Sequence, residues 1–499
     1  MLMPIQLRLA VLAIAVPMAA QAAAPGVLQV AVDQSPAGLD PHKATAFSSV
    51  LIDSAIYEGL TAIDAQLQVV PALAASWKVA PDRRTYEFQI RPGAVFHDGT
   101  PVTAAVVIAN IQRVIARKTA SPYASRFTDI ASMTATGKDS LRIVLRAPSA
   151  PFLAQLASLA IASPAAFGDL ARKPDGTGPF AFKQWVPDTS ISLVANPHYW
   201  AAGLPHLAGV TFDIVPDAAT RQLGLIGGSY QMLPNIDAAT ATALANKPHV
   251  TLLKTQDLAY SLIGMNVSRP PFNNPKVREA LNLALDRNQI VQAAYFGRGV
   301  PGGPLSPALA GWALPTAAFP CYSPNAGGAK KLLEAAGIKG RLPVTLKVLG
   351  SLQQVVDVAQ VAQAQLNKAG FDVKLDIQTL PAFVKDWRAS NFEGFVSLNG
   401  GGIDPDDYFG RTYQTGGATN VFKYSNPTVD HLLVTARSEP DRARRKADYD
   451  AVQKDVACDG PIATIAYGTL FTAVRDEVHG FAPVATRSLW GLRDVTLTK

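Results

Sequence analysis

The sequence of 499 residues has little of what metal-binding, redox and nucleic-acid-binding proteins use. Its seven histidines are never three or four residues apart, so no His-x-x-x-His metal helix is predicted. Lys and Arg outnumber Asp and Glu by 45 to 38, but they are scattered. The one cluster, Arg442-Ala-Arg-Arg-Lys446, falls on a predicted helix face and is typical of a solvated surface. We therefore expect no cofactor, no metal site and no nucleic-acid partner.

Cysteine is nearly absent, with only Cys321 and Cys458 in the chain. Neither has a histidine nearby in sequence, so this pair does not form a zinc site. Two alternatives remain, one disulfide or two buried free thiols. An oxidising compartment favours the disulfide.

Long hydrophobic runs are missing after residue 23, since no later stretch reaches about eighteen uninterrupted apolar residues. Met1–Ala23 itself has one cation (Arg8), an apolar run (Leu9–Met18) and a small-x-small site at Ala20-Gln-Ala22. This order is typical of a secretory signal peptide, and a disordered N-terminus of a cytosolic protein is the alternative. No cysteine that could carry a lipid anchor follows the cleavage site. We expect a free protein in the periplasm.

The motifs of a secreted enzyme are also missing. There is no Gly-x-Ser-x-Gly, and Gly176-Thr-Gly-Pro179 is a turn that cannot open a phosphate-binding helix. Asp404, Asp406 and Asp407 lie in a Gly-rich loop, but one loop rarely supplies both acids of a glycosidase, and the spacing is not that of a calcium loop. No catalytic residue is predicted. A periplasmic hydrolase that uses the 404–407 acids is the alternative.

What the chain does contain is material for large cores, because 48% of its residues are hydrophobic and 17% are charged. A strand, a helix and a strand follow one another within 344–377, which predicts a parallel or mixed sheet. The length suits two to four domains. We predict an α/β fold.

The stretch from Tyr260 to Phe296 marks a passage between domains. A buried strand, Tyr260–Met265, is followed by a helix with Asn274 as N-cap and Pro275 as first residue. Asp286-x-x-Gln289 then predicts a capping box at the start of a second helix. Ile462–Arg475 is a second long apolar, β-branched run, and we interpret it as the return crossing.

Several motifs carry a family resemblance, and they run in order along nearly the whole mature chain. They are Tyr57-Glu-Gly-Leu60, Pro71-Ala-Leu-Ala-Ala-Ser-Trp77, residues 85–103 (TYEFQIRPGAVFHDGTPVT), Gly176-Thr-Gly-Pro-Phe180, Asn196-Pro-His-Tyr-Trp200, Val277-Arg-Glu-Ala-Leu281 and residues 329–337 (AKKLLEAAG). Together they resemble the extracytoplasmic solute-binding proteins of the dipeptide/oligopeptide/nickel/opine class (family 5) of ABC importers.

The resemblance implies a two-lobed, hinge-closing fold of the periplasmic-binding-protein type (cluster C) with two hinge crossings. After the signal peptide (1–23), lobe I would comprise 24–262 and 471–499, with an extra subdomain near 60–170, and lobe II would comprise 263–470. The implied function is capture of a peptide-like or conjugated small solute for an inner-membrane ABC permease. We expect a monomer. A ligand-binding partner of a membrane sensor is a further alternative.

The resemblance also indicates the binding cleft. Dipeptide-binding members have a Trp-x-Gly-Asp-x-Gly-Asp-Pro loop, and here the ammonium-binding Asp falls on Gly401 and the Trp on Leu398. An Arg expected near the start of the Val355 helix has Val356 and Asp357 in its place. A zwitterionic dipeptide is therefore disfavoured, and Gly400–Gly402 would leave space for a bulky or weakly charged ligand. The residues expected to contact ligand are Phe47, Tyr260, Asn266, Ser351, Gln353, Asn399, Gly401, Gly402, Asp404 and Tyr408, with core or loop packing as the alternative for each.

Overall fold

The structure is a computed structural model that describes residues 26–498. The signal peptide predicted at 1–23 lies outside these residues. Within them, no helix combines the length and the apolar character needed to cross a membrane. The strands are β1 (Val27–Val32), β2 (Thr61–Ile63), β3 (Val69–Pro71), β4 (Ala74–Val79), β5 (Thr85–Ile90), β6 (Ile130–Ala135), β7 (Ser140–Leu145), β8 (Phe180–Val186), β9 (Ser190–Ala195), β10 (Gly209–Ile214), β11 (Met232–Ile236), β12 (Val250–Met265), β13 (Gly299–Pro301), β14 (Leu342–Leu349), β15 (Phe371–Gln378), β16 (Gly394–Asn399), β17 (Ile462–Arg475), β18 (Val478–His479) and β19 (Thr496–Leu497).

Helices alternate with these strands, so the chain has the α/β character that its sequence predicts. The helices are α1 (Phe47–Ile56), α2 (Ala104–Ile115), α3 (Phe152–Ala157), α4 (Ala218–Ile226), α5 (Ala238–Leu244), α6 (Pro275–Ala284), α7 (Arg287–Ala294), α8 (Ala326–Ala335), α9 (Gln353–Lys368), α10 (Leu380–Arg388), α11 (Pro405–Phe409), α12 (Pro427–Ser438) and α13 (Arg442–Ala457).

One mixed sheet runs through the molecule in the order β15-β14-β16-β12-β17-β11-β1-β10-β9-β8, and β13 pairs with β17 beside this path. The predicted strand–helix–strand unit is confirmed. β14 and β15 are parallel neighbours with Leu342 opposite Phe371, and α9 connects them. A separate four-stranded sheet has the order β4-β5-β7-β6.

The two longest strands, β12 and β17, join the two ends of the main sheet. They pair antiparallel from Val250 opposite Arg475 to Gly264 opposite Ile462, with a register shift between Gln256 and Tyr260. Beyond the shift β12 also pairs with β16, whereas the far end of β17 pairs with β11. The predicted bounds of β17 are confirmed. The strand predicted to start at Tyr260 begins ten residues earlier, at Val250. The sequence did not reveal this first half because its polar residues obscure the apolar pattern of a strand.

Separate hydrophobic cores divide the molecule. The largest contains the second half of β12 with β14–β16 and helices α6–α9, and we call the half of the molecule built on it lobe II. Another core unites β1, α1 and β8–β10 on the other side. A third lies between residues 60 and 161, around the four-stranded sheet and α2. We call the half that contains these last two cores lobe I.

The helix starts after β12 follow the predicted capping, with one difference. Asn274 accepts a hydrogen bond from Lys276 N at 3.0 Å, and Pro275 is the first residue of α6. Asp286 accepts from Gln289 N at 3.0 Å. The reciprocal half of the predicted capping box is absent, because Asp286 N donates to Gln365 of α9, which also donates to the Gln289 side chain. This cap is therefore tied to a neighbouring helix.

Cys321 and Cys458 form a disulfide, with their Cα atoms 5.6 Å apart. The bridge lies in a small core with Phe319, Tyr322 and Ala457. It connects the segment after β13 to the end of α13, so both ends of the bridge belong to lobe II.

Candidate functional site

A cavity of about 430 Å³ lies between the lobes. Its lobe I wall comes from α1 with its flanks, from residues 123–126 and from 154–160. Its other wall comes from residues 400–403 with Asp407, and residues 257–259 of β12 and 485–490 of the C-terminal segment complete the lining. Segments that are far apart in sequence thus line one partly open cavity.

Three of the sequence-predicted ligand contacts line this cavity. Phe47, at the first position of α1, is exposed and has the Arg487 guanidinium 4.5 Å above its ring. Gly401 and Gly402 lie in the opposite wall.

Three further predicted residues lie directly behind that wall. Tyr260 and Tyr408 stack with ring centroids 6.0 Å apart, and both are buried. Asn399 donates to the Tyr260 hydroxyl at 2.9 Å, and the Tyr408 hydroxyl donates to the carbonyl of the cavity-lining Leu258 at 2.8 Å. These side chains position the wall, and their polar groups are satisfied within the protein.

The other four predicted residues lie elsewhere. Asn266 is buried and donates to Ser390 O at 3.0 Å. Asp404 is held by Arg445 of α13 at 2.7 Å. Ser351 and Gln353 are exposed before and at the start of α9, where Gln353 donates to Asp357 at 2.8 Å. None of them lines the cavity.

The glycine loop does not leave the ligand space that the sequence suggested. A Cβ on Gly401 would lie 2.0 Å from the Tyr408 ring, and one on Gly402 would lie 2.0 Å from the Asp407 carboxylate. The protein's own side chains fill the volume that these glycines free. Only Gly400 has nothing within 4 Å of its Cβ position. The loop is glycine-rich because α11 approaches its backbone closely.

The cavity is nevertheless charged, through residues that sequence reasoning missed. Glu58 is fully engaged, since it accepts from Tyr199 at 2.7 Å, Trp200 at 2.7 Å and Trp490 at 2.8 Å. Burial raises its pKa, and these three donors oppose that rise. Asp257 is paired with Arg487 at 2.5 Å. These acids are structural parts of the wall.

Asp53 is different, because neither of its carboxylate oxygens has a hydrogen-bond partner within residues 26–498. It lines the cavity from α1, is 5% exposed, and has a pKa raised well above the usual range by burial. The sequence carried a signal for it. Val50, Asp53 and Ile56 are spaced three apart, so an acid interrupts the apolar face of a helix.

Asp407 and Arg126 are the remaining charged groups of the cavity. Burial raises the pKa of Asp407 to about 6, with the neighbouring Asp404 adding to the rise and Arg126 opposing it. Arg126 belongs to lobe I and donates to Ser158 Oγ at 2.6 Å. No local sequence pattern marks these two residues, because they belong to different lobes and share the cavity only in the folded protein. Within the described chain, no group of three or more His, Cys, Asp or Glu side chains is arranged to hold a metal ion.

Comparisons with known proteins agree with this architecture. The glutathione-binding protein GsiB of Pectobacterium atrosepticum is 29% identical over 496 residues, covering 94% of each chain. The oligopeptide-binding protein AppA of Bacillus subtilis, solved with a nonapeptide, has a TM-score of 0.83 and 27% identity over 95% of this chain and 99% of its own. AgaA of A. tumefaciens R10, solved with agropinic acid, has a TM-score of 0.81 and 25% identity over 95% and 99%.

A family profile matches most of the chain. Residues 68–420 match the profile described as bacterial extracellular solute-binding proteins, family 5 Middle. The chain belongs to the bacterial extracellular solute-binding proteins of family 5.

Proposed function

We propose that this protein captures a small peptide-like or conjugated solute between its two lobes in the periplasm and delivers it to an ABC importer. The observation that carries the proposal is the partly open cavity of about 430 Å³ with walls from both lobes. A solute held there contacts both lobes at once, so binding favours the closed arrangement that a permease can recognise.

The size of the cavity favours a small solute. Pockets for small molecules span roughly 300–1,000 Å³, and this one lies near the lower end. A ligand with the dimensions of glutathione or of an opine suits that volume better than a nonapeptide does. The similarity to a glutathione-binding protein over 94% of the chain supports the same class.

The hinge of the proposed motion lies where β12 and β17 cross between the lobes. The register shift between Gln256 and Tyr260 interrupts their ladder, and the cavity-lining residues 257–259 fall within it. We place the lobe boundaries near residues 262 and 470, so that 471–499 returns to lobe I. Away from the hinge, Ala150 N of lobe I donates to Arg437 O of lobe II at 2.9 Å, a contact that lobe opening would break.

The arrangement of the 404–407 acids favours binding over hydrolysis. Asp404 is paired with Arg445 at 2.7 Å and Asp406 with Arg437 at 3.0 Å. Only Asp407 of the three reaches the cavity. A hydrolytic acid–base pair needs two groups facing one substrate bond, and this loop presents one.

The test starts from the protein as it is purified. Solutes released by mild denaturation are identified by mass spectrometry and returned to the stripped protein in a thermal-shift titration. A ligand at a hundredfold excess over Kd should add about 2.7 kcal/mol to the apparent stability. Small-angle scattering should show compaction, and the solute should be recovered chemically unchanged. A released solute that is converted to products would instead support the hydrolase, and the absence of any stabilising solute would contradict the proposal.

A further inference from the structure

The Asp53 carboxylate is an acceptor without a donor on the wall of the cavity. Both oxygens are buried and unpartnered within residues 26–498, although the side chain borders a space of about 430 Å³. Leaving a buried acceptor unsatisfied costs free energy, so such a group persists where a ligand can satisfy it.

The protein donors around Asp53 are already committed. The Tyr57 hydroxyl donates to Leu39 O at 3.1 Å, and the Tyr123 hydroxyl donates to Ala44 O. Ser54 Oγ donates to Leu51 O at 2.7 Å. Arg113, a side-chain cation of lobe I, is bound to Asp40 at 2.6 Å. Within residues 26–498, none of these groups donates to Asp53, and the cavity is the side from which a ligand can supply a donor.

The charge of the cavity indicates what kind of donor fits. Among its lining side chains, Glu58 is saturated by three donors and Asp257 is neutralised by Arg487. Two acids, Asp53 and Asp407, remain against one cation, Arg126. A buried carboxylate is stabilised most by a charge-assisted hydrogen bond from a cation.

We propose that Asp53 is a specificity-determining residue that binds a cationic nitrogen of the solute, a primary ammonium or a guanidinium. The inference rests on the proposed function, because it concerns the ligand of the same cavity. It places the cation on lobe I, in α1, whereas the position Gly401 on lobe II carries no charge.

The test uses matched pairs of solutes on the full-length mature protein. Calorimetry measures the binding of glutathione, tri-alanine and alanyl-arginine, each with a free and with an acetylated amino group. The co-purified solute is titrated in the same way. The variants are Asp53→Asn and, as a matched control, Asp213→Asn. Asp213 is also a carboxylate whose pKa burial raises, to about 6, but it lies in β10 and does not line the cavity.

For wild type, at least one solute with a free cation should bind tenfold or more tightly than its neutral counterpart. Acetylated alanyl-arginine keeps its guanidinium, so if both alanyl-arginine forms bind tenfold or more tightly than acetylated tri-alanine, the cation is the guanidinium. Asp53→Asn should weaken binding of the cationic form about tenfold to a hundredfold, remove the preference, and leave the free protein about as thermostable as wild type, because it replaces one buried polar group without a partner by another. Asp213→Asn should bind as wild type does.

Equal binding of charged and neutral forms, or wild-type affinity in Asp53→Asn, would overturn the assignment while the proposed function stands. The second result would mean that the charge of Asp53 does not contribute to binding. If neither the panel nor the co-purified solute binds wild type, the proposed function itself fails, and the assignment fails with it.

Discussion

Arg445 of α13 donates hydrogen bonds to both carboxylate oxygens of Asp404, with Nη2 2.7 Å from Oδ1 and Nη1 2.9 Å from Oδ2. Asp404 also caps α11 by accepting from Asp406 N at 2.9 Å. Both partners of the ion pair are buried. Asp404, which the sequence analysis predicted to contact ligand, therefore anchors the end of the glycine loop to α13 of lobe II.

Asp404→Asn should consequently act on stability. Removing one partner of a buried pair leaves an uncompensated charge on Arg445 and typically costs about 3–5 kcal/mol of the free energy of unfolding. Urea denaturation of the ligand-free protein measures this loss. Asp188→Asn, at an exposed turn, is the control and should stay within about 0.5 kcal/mol of wild type. Unchanged stability in Asp404→Asn would show that the pair does not form in solution.

The glycine loop gives a second prediction with a built-in control. Gly402→Ala places a Cβ 2.0 Å from the Asp407 carboxylate, whereas Gly400→Ala places one in open space. The first substitution should cost about 1–3 kcal/mol of stability through overpacking and should weaken ligand binding, because Asp407 is displaced within the cavity wall. The second should leave unfolding free energy and affinity close to wild type. Calorimetric titration and urea unfolding of both variants check this. Equal behaviour of the two variants would contradict it.

Sequence reasoning succeeded where the signal is local. The apolar, β-branched run of β17 defined its bounds, and the caps at Asn274 and Asp286 defined where α6 and α7 begin. It missed the first half of β12, where Lys254, Thr255 and Gln256 are polar and the strand is only partly buried. There the pairing with β17 overrides the local pattern.

The candidate site was less accessible to sequence reasoning, for a related reason. The composition of 400–402 showed that the backbone needs room, but not that Tyr408 and Asp407 occupy it. Arg126 and Asp407 share the cavity only through the fold, since they belong to different lobes. Asp53 alone left a local trace, as an acid on an apolar helix face.

The disulfide provides a third prediction. Cys321 and Cys458 are separated by 137 residues, so their bridge restricts a long stretch of the unfolded chain. The double variant Cys321→Ser/Cys458→Ser should lose about 2–5 kcal/mol of stability and should bind ligand with wild-type affinity, because the bridge does not border the cavity. Thermal unfolding with and without a reductant measures the effect. Wild type should fall to the level of the double variant on reduction, and the variant should not respond; a wild-type protein insensitive to reductant would contradict the bridge.

The last prediction concerns pH and His97, whose pKa burial lowers to about 4. Nε2 lies 3.0 Å from Gly178 O, and Gly176 N donates to Nδ1 at 3.3 Å. The neutral ring with its proton on Nε2 satisfies both contacts. Protonation of Nδ1 would place its N–H opposite the N–H of Gly176, so that two donors face each other without an acceptor. The unfolded chain, with a histidine pKa near 6.5, therefore binds more protons between pH 6.5 and pH 4. The stabilisation by His97 is complete above pH 6.5 and is lost as pH falls toward 4, by up to about 3 kcal/mol.

His97→Gln retains a donor and an acceptor without titrating, so the stability advantage of wild type over this variant should shrink across that window. His198→Gln is the control for a histidine-to-glutamine change away from this contact; the backbone N–H of His198 donates to Asn196 Oδ1 at 2.9 Å. Urea unfolding at steps from pH 7.5 to pH 4 measures the differences, and an advantage for wild type over His97→Gln that stays constant with pH would contradict the assignment of a neutral, partly buried His97.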